Sequence, residues 1–216
     1  MRATSTKDVI KNVFSNRNIL AISLTTTLWS VCNAGWSPYW PLYLKHELGA
    51  TVAVLGMLSV IQTSEQLLFQ LPGGILADRF GRRKIILFGT SLRIIAPLIY
   101  LMATNWVHVI PAVIVNAMSS IYTPAFDAII ADSLPQRQRG AGYGAYRMIT
   151  SLPRVFMPVL GGIIMDALGY KEGVRIFLIA TIIASVVMIL IRARFLTETL
   201  IESSGQRRST RATLSA

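Results

Sequence analysis

The sequence predicts an all-α membrane protein of six transmembrane helices arranged as a three-plus-three inverted repeat. Three observations predict it. Of its 216 residues, 53% are hydrophobic and only 14% charged, with a mean hydropathy of +0.54. A soluble domain carries about a quarter charged residues, so this chain has too few to cover a water-facing surface. Six of its stretches approach the ~20 mainly apolar residues that a spanning helix needs. A nine-residue segment also recurs 88 residues further on, at the end of another helix.

The charge is lopsided, with 21 Lys and Arg against 10 Asp and Glu, a net charge of +11. In a soluble protein that balance would point to nucleic acid. Here the apolar excess places the basic residues in the loops of a membrane protein. Cys32 is the only cysteine, which excludes a disulfide framework.

The first span is read from Ile19 to Leu44, behind a leader containing Arg2, Lys7, Lys11 and Arg17. The apolar run passes Cys32 and Trp36 with no A-x-A-like cleavage site, so it is read as a retained span and not a signal peptide. Trp36, Tyr39, Trp40 and Tyr43 near its far end, and Trp106 before the fourth span, are read as interfacial anchors. The second span runs from Val52 to Ala77, the third from Ile85 to Ala103, and the fourth from Val107 to Ala131. The fifth runs from Ala141 to Ala167 and the sixth from Val174 to Phe195. Short loops marked by Gly49, Gly81, Pro135 with Gly140, and Gly169 separate them.

The cations test this layout. One side collects Arg2, Lys7, Lys11 and Arg17, then Arg79, Arg82, Arg83 and Lys84, then Arg137 and Arg139. Arg192, Arg194, Arg207, Arg208 and Arg211 join them, while the other side has only Lys45, Lys171 and Arg175. The positive-inside rule therefore puts both termini in the cytoplasm of a multi-pass cell-membrane protein. An even number of spans requires the same. This divides the chain into a cytoplasmic segment 1–18, a six-helix bundle 19–196 and a basic tail 197–216, whose Arg207, Arg208 and Arg211 suit anionic lipid headgroups.

Gly73 to Gly81 reads GGILADRFG and Gly161 to Gly169 reads GGIIMDALG, with five of nine positions identical. The first copy ends the second span on the cytoplasmic side, and the second ends the fifth span on the outer side. Inverted repeats of three helices produce that arrangement and are common in secondary transporters. The alternative is chance, since helix ends often use Gly-Gly and Asp.

The loop after the second span reads Gly74-Ile-Leu-Ala-Asp78-Arg79-Phe-Gly81-Arg82-Arg83-Lys84. It resembles the G-x-x-x-D-R-x-G-R-R-K motif between helices 2 and 3 of the major facilitator superfamily. The six-span plan extends that resemblance over roughly 18–200, as the N-terminal half of a twelve-helix fold. Physically, Gly74 would let the second span approach a neighbour closely, and Gly81 permits a sharp turn. The resemblance implies that Asp78 is a latch group joining the two halves in the outward-open state. It also implies that Arg82 pairs with a fourth-span carboxylate, Asp127 or Asp132, while Arg79 and Arg83 hold the loop inside. The plainer reading is that these cations only fix topology.

A weaker resemblance links Gly144 and Pro158-Val-Leu-Gly161-Gly162 to the helix 5 pattern of drug and proton antiporters. Pro153 and Met157 replace two expected glycines, and Asn116 stands where proton-coupled members carry an arginine. A Pro-kinked, Gly-packed helix accounts for the segment equally well.

Charge inside a bilayer is expensive and points to function. At ~1.5 Å per residue, Glu65 lies ~16 Å and Arg154 ~20 Å from the cytoplasmic ends, near Asn33 and Asn116. Arg93 at ~12 Å and Asp127 at ~6 Å are shallower. Glu65 shares a polar stripe with Gln62, Gln66 and Gln70, and Arg147 and Arg154 share one face of the fifth span. Either these residues form a cavity in which Glu65 takes a proton or cation and Arg154 an anionic solute group, or Glu65–Arg154 and Asp127–Arg147 are static pairs. Thr25 to Thr27 read as packing.

The resulting expectation is secondary or facilitative transport of a small solute by alternating access, with proton coupling through Glu65 as one version. The chain would work as half of a transporter with a second six-helix half, as a homodimer, or persist as a non-transporting relic. An intramembrane enzyme is disfavoured, because His46 and His108 both lie near the outer face and no G-x-S-x-G motif or metal-ligand cluster is present. No cofactor and no nucleic-acid partner is implied.

Overall fold

The computed structural model describes residues 15–134, 136 and 139–199, apart from the side chains of 65–67. Arg2, Lys7, Lys11, Arg137, Arg207, Arg208 and Arg211 of the charge argument lie outside the described residues, as does the side chain of Glu65. Among the described residues the structure is helical throughout, with no strand.

Helix α1 spans Arg17–Trp36 and starts at Asn16, whose side-chain oxygen accepts from the backbone N–H groups of Asn18 and Ile19 at 2.9 and 3.4 Å. Pro38 and Pro41 cannot continue its hydrogen-bond ladder, so a 3-10 turn over Ser37–Tyr39 leads into the short α2, Trp40–His46. The single first span is therefore a broken one. Helix α3, Val52–Phe80, is capped by Thr51, and one residue, Gly81, separates it from α4, Arg82–Met102. The fourth passage is α5, Val109–Met118, and α6, Thr123–Asp132, joined by a 3-10 turn at Ser119–Tyr122 just before Pro124. Helix α7 covers Arg139–Phe195 but bends at Gly169, where the expected fifth and sixth helices meet without an intervening loop.

Among the described residues, four stretches are long and apolar enough to cross a membrane: 52–80, 82–102, 106–132 and 139–195. Helix α1 is not among them, because Thr25 to Thr27, Ser30 and Asn33 lower its apolarity.

Helix α1 lies along both arms of α7. Near its start, Thr25 and Thr26 meet Arg192; near its end, Trp36 Nε1 donates to Thr181 Oγ1 at 3.3 Å. The second arm therefore runs antiparallel to α1. Against the first arm, Tyr39 OH donates to the Pro158 carbonyl at 2.7 Å. Trp36, 7% exposed, and Tyr43, 5% exposed, sit in an apolar cluster with Tyr100 and Phe177. They are core residues, not the interfacial anchors expected, because the α1–α2 break turns them into the bundle. A second cluster gathers Ile19, Ile86, Phe126, Ile129 and Leu196 from the opposite ends of the same elements. Buried Thr25, Ser30, Thr90 and Arg192 fall between the two clusters in sequence and form a polar layer.

The two copies of the repeated segment behave alike. Gly81 has φ 98° and ψ 137°, and Gly169 has φ 81° and ψ 161°, close to a region open essentially to glycine alone. At the leading glycines, a Cβ on Gly73 would stand 2.2 Å from the Ile121 carbonyl oxygen, and one on Gly161 1.9 Å from that of Gly35. Each is a backbone-to-backbone crossing, α3 over the fourth passage and α7 over the first. Gly74, expected to provide the close approach, makes only ordinary contact with Pro124 at 3.7 Å; its neighbour Gly73 provides it.

Gly161→Ala should therefore destabilise the bundle by about 1–3 kcal/mol. A Cβ on Gly144 meets nothing within 4 Å, so Gly144→Ala should stabilise its helix by up to about 1 kcal/mol. Thermal unfolding in detergent would show the opposite signs.

Candidate functional site

Two polar regions stand out. The first surrounds the turn from α3 to α4. The opening N–H groups of a helix have no partner within it, and Gly81 has no side chain to supply one. Glu198 supplies it from beyond α7: its Oε1 accepts from Arg82 N–H at 3.2 Å and its Oε2 from Arg83 N–H at 3.0 Å. A carboxylate there also opposes the positive end of the helix dipole. The Arg82 guanidinium pairs with Asp132 at the end of α6 and donates to Thr199 Oγ1 at 3.2 Å. Arg83 reaches the Ala193 carbonyl at 2.6 Å. Thr197 donates to Asn18 Oδ1 through its N–H at 2.9 Å and its hydroxyl at 3.0 Å. Residues 197–199 thus clasp the ends of α1, α4 and α6 together.

Arg82 therefore reaches Asp132 and not Asp127. Asp127 instead accepts from the Tyr143 hydroxyl, and Arg147 lies 5.7 Å from the centre of the Tyr143 ring. The expected direct Asp127–Arg147 pair is replaced by a tyrosine between them. Asp78 is exposed and has no hydrogen-bond or ion-pair partner among the described residues. Arg79, also exposed, stacks 5.5 Å from the Phe80 ring centre.

The second region is a cleft of about 280 Å³ between α1 and the first arm of α7. It brings Asn33 and Arg154 together with Trp29, Ser30 and Ser37. Asn116 is not among its lining residues; its backbone carbonyl accepts from Ser119 Oγ at 2.5 Å within its own passage. Glu65 lies outside the described side chains, so its expected pairing with Arg154 is not described.

Sequence reasoning missed the most buried charge. Arg192, assigned to the cytoplasmic side as a topology cation, is 1% exposed. Its Nε donates to Thr25 at 3.2 Å, Nη1 to Thr90 at 2.8 Å and Nη2 to Thr26 at 3.1 Å, and it lies 5.2 Å from the Phe126 ring centre. No described carboxylate pairs with it. Side chains on a helix lean toward its N-terminus, so Arg192 near the end of α7 points back into the bundle. Thr25 and Thr26 are accordingly acceptors for this guanidinium and more than packing. Arg93 neither reaches the helix end nor finds an acid; its guanidinium lies 4.1 Å from the Trp29 ring centre and 5.1 Å from that of Tyr122.

Residues 19–216 match the Major Facilitator Superfamily. The chain belongs to the major facilitator superfamily. Its members are membrane transporters, and the helices long and apolar enough to cross a membrane accord with that. A Na(+), Li(+), K(+)/H(+) antiporter of Planococcus maritimus is 25% identical over 181 residues, 81% of this chain and 40% of its own length. The quinolone resistance protein NorA of Staphylococcus aureus is 28% identical over 130 residues, 60% of this chain and 33% of its own length. Among solved structures, the human organic anion transporter MFSD10 (TETRAN) shares the fold, with a TM-score of 0.56 and 19% identity over 91% of this chain and 49% of that one. The chain thus spans less than half the length of each superfamily relative named here.

The superfamily core around Arg192 makes an unusual demand. Replacing a buried charge by an apolar side chain of similar volume is often neutral or stabilising. Thr25 already donates to the Ala21 carbonyl at 2.7 Å, so it does not depend on Arg192. Arg192→Met removes the buried charge but strands the Thr90 hydroxyl, so it should cost less than Thr90→Val. Thr90→Val, which strands a buried guanidinium donor, should cost about 1–3 kcal/mol. Glu198→Ala should cost about 1 kcal/mol through the lost cap. Thermal unfolding of the three variants checks all three.

Proposed function

We propose that the chain carries out secondary or facilitative transport of a small solute by alternating access, as one six-helix half of a major facilitator fold. The observation that carries this reading is the cleft holding Asn33 and Arg154 on an unburied face of α7. A guanidinium exposed at that depth in lipid would be costly, so the face calls for a second protein unit and a water-filled space. The second unit is a separate six-helix half or a second copy, since the halves of this fold are parallel repeats about an axis along the membrane normal. Helix α3 supports the same arrangement: only 7% of its most apolar window is buried within the chain.

The three-plus-three inverted repeat is supported by the matched glycines. Gly73 crosses the fourth passage as Gly161 crosses the first, and Gly81 and Gly169 end the two copies in similar backbone conformations. The bundle would then be 19–196, with 197–216 beginning a linker, both termini in the cytoplasm and the whole in the cell membrane. The clasp at the α3–α4 turn would serve as the gate. In that role Arg79, Arg82, Arg83 and Asp132 keep the turn rigid, while exposed Asp78 meets the partner unit. Proton coupling through Glu65 is carried as one version of the mechanism, consistent with an antiporter among the relatives. Asn116 and Arg147 remain solute or proton candidates on neighbouring surfaces. No catalytic step is assigned.

Reconstitution into proteoliposomes tests this reading. With the second unit present, flux of at least one of three probes (Na+, a quinolone or benzoate) is expected above empty vesicles. Asp78→Asn should slow it, and Glu65→Gln should remove any dependence on a pH gradient. No flux of any probe, in the dimer or with a second half, would overturn the proposal.

A further inference from the structure

The α1–α7 cleft carries a statement about solute chemistry. Its polar lining consists of Trp29, Ser30, Asn33, Ser37 and Arg154, with Ala34 and two prolines completing the wall. None of these is acidic. Arg154 is the one charged group lining it, and among the described residues it has no acidic partner.

Two further polar groups in this wall lack a partner. Ser30 is 2% exposed, and its hydroxyl oxygen has no hydrogen-bond partner among the described residues. The indole N–H of Trp29 is buried and unpartnered too. Buried donors without acceptors are costly, and both lie in the wall of the same cleft as Asn33. Arg93, stacked on the face of Trp29 at 4.1 Å, adds a second positive charge behind the wall. The cleft therefore offers N–H and O–H donors and positive potential, with indole and proline surfaces beside them.

We propose that this cleft is a subsite for an organic monoanion, a carboxylate attached to a small apolar body. Arg154 takes the carboxylate through charge-assisted hydrogen bonds. Asn33 and Ser37 donate to its oxygens, the Ser30 hydroxyl and Trp29 N–H add unpaired donors just behind that wall, and the apolar body rests on Trp29, Pro38 and Pro158. Among the described residues a cationic solute finds no counter-charge here and meets Arg154 instead. The assignment deepens the transport reading and rests on it for its biological meaning, but binding alone tests it.

The test uses the full chain in lipid nanodiscs and three probes of similar shape: benzoate, benzylammonium and benzyl alcohol. Titration calorimetry should find benzoate bound most tightly. Arg154→Gln should weaken benzoate about tenfold or more, the loss of one charge-assisted contact, and leave benzyl alcohol unchanged. Arg154 is exposed, so the substitution does not threaten the core; Arg154→Lys should recover part of the affinity. Benzylammonium binding as tightly as benzoate, or benzoate binding equally to the wild type and Arg154→Gln, would overturn the assignment. Benzoate binding without flux in proteoliposomes would uphold the subsite while removing the transport reading. Flux together with a preference for benzylammonium would do the reverse.

Discussion

A bilayer supplies no hydrogen bonds, so each polar group within it must be satisfied by protein or by water drawn into a cavity. This constraint organises the chain. Arg192 donates to three threonine hydroxyls from α1 and α4, and Arg93 lies against the faces of Trp29 and Tyr122. Arg82 pairs with Asp132 and donates to Thr199 at the α3–α4 turn. These contacts tie α1, α4, α6 and α7 into one unit. Arg147 and Arg154 are the exceptions, exposed on the first arm of α7. A chain that holds three arginines against its own side chains and leaves two exposed on one face has a directional surface. On the proposed reading, that surface receives a second unit and a solute.

Close backbone crossings make the arrangement rigid. Gly35 and Gly161 meet with no room for a side chain, as do Gly73 and Ile121. Small residues allow such approaches between membrane helices, where packing replaces the hydrophobic effect as the source of association. Because these crossings fall at equivalent positions of the repeated segment, the bundle has two similar joints. The proposed rocking mechanism calls for rigid units, since movement is then confined to the interface between them.

Much of the fold was legible because hydropathy and glycine placement report directly on spans and turns. The Gly81 and Gly169 breaks followed from residue type and spacing, and the reach of Arg82 to a carboxylate of the fourth passage from the resemblance of its loop to the superfamily motif. What was not legible depended on direction and on distance in the chain. Residue type says that Arg192 is basic but not that it leans back into the bundle, so it was read as a topology marker. Trp36 looked like an interfacial ring because the α1 break that buries it involves Pro38 and Pro41 acting with the rest of the bundle. Glu198 caps α4 from more than a hundred residues away, and no local pattern announces such a partner. At the candidate site, Asn33 and Arg154 were placed at one depth by counting, whereas Ser30 and Trp29 were found only once α1 had a face. Asn116 was counted to a similar depth in the fourth span, but counting does not show that its passage lies away from the cleft.

The central claim is that the Arg154 face lines water and not lipid. Thiol accessibility in intact membranes tests it most directly, in a Cys32→Ser background with single cysteines at Ser151, on the Arg147–Arg154 face, and at Ile183, 59% exposed on the other arm of α7. A membrane-impermeant thiol reagent should modify Ser151→Cys and leave Ile183→Cys unreacted. An unreactive Ser151→Cys would mean that lipid covers the face, and would contradict the account.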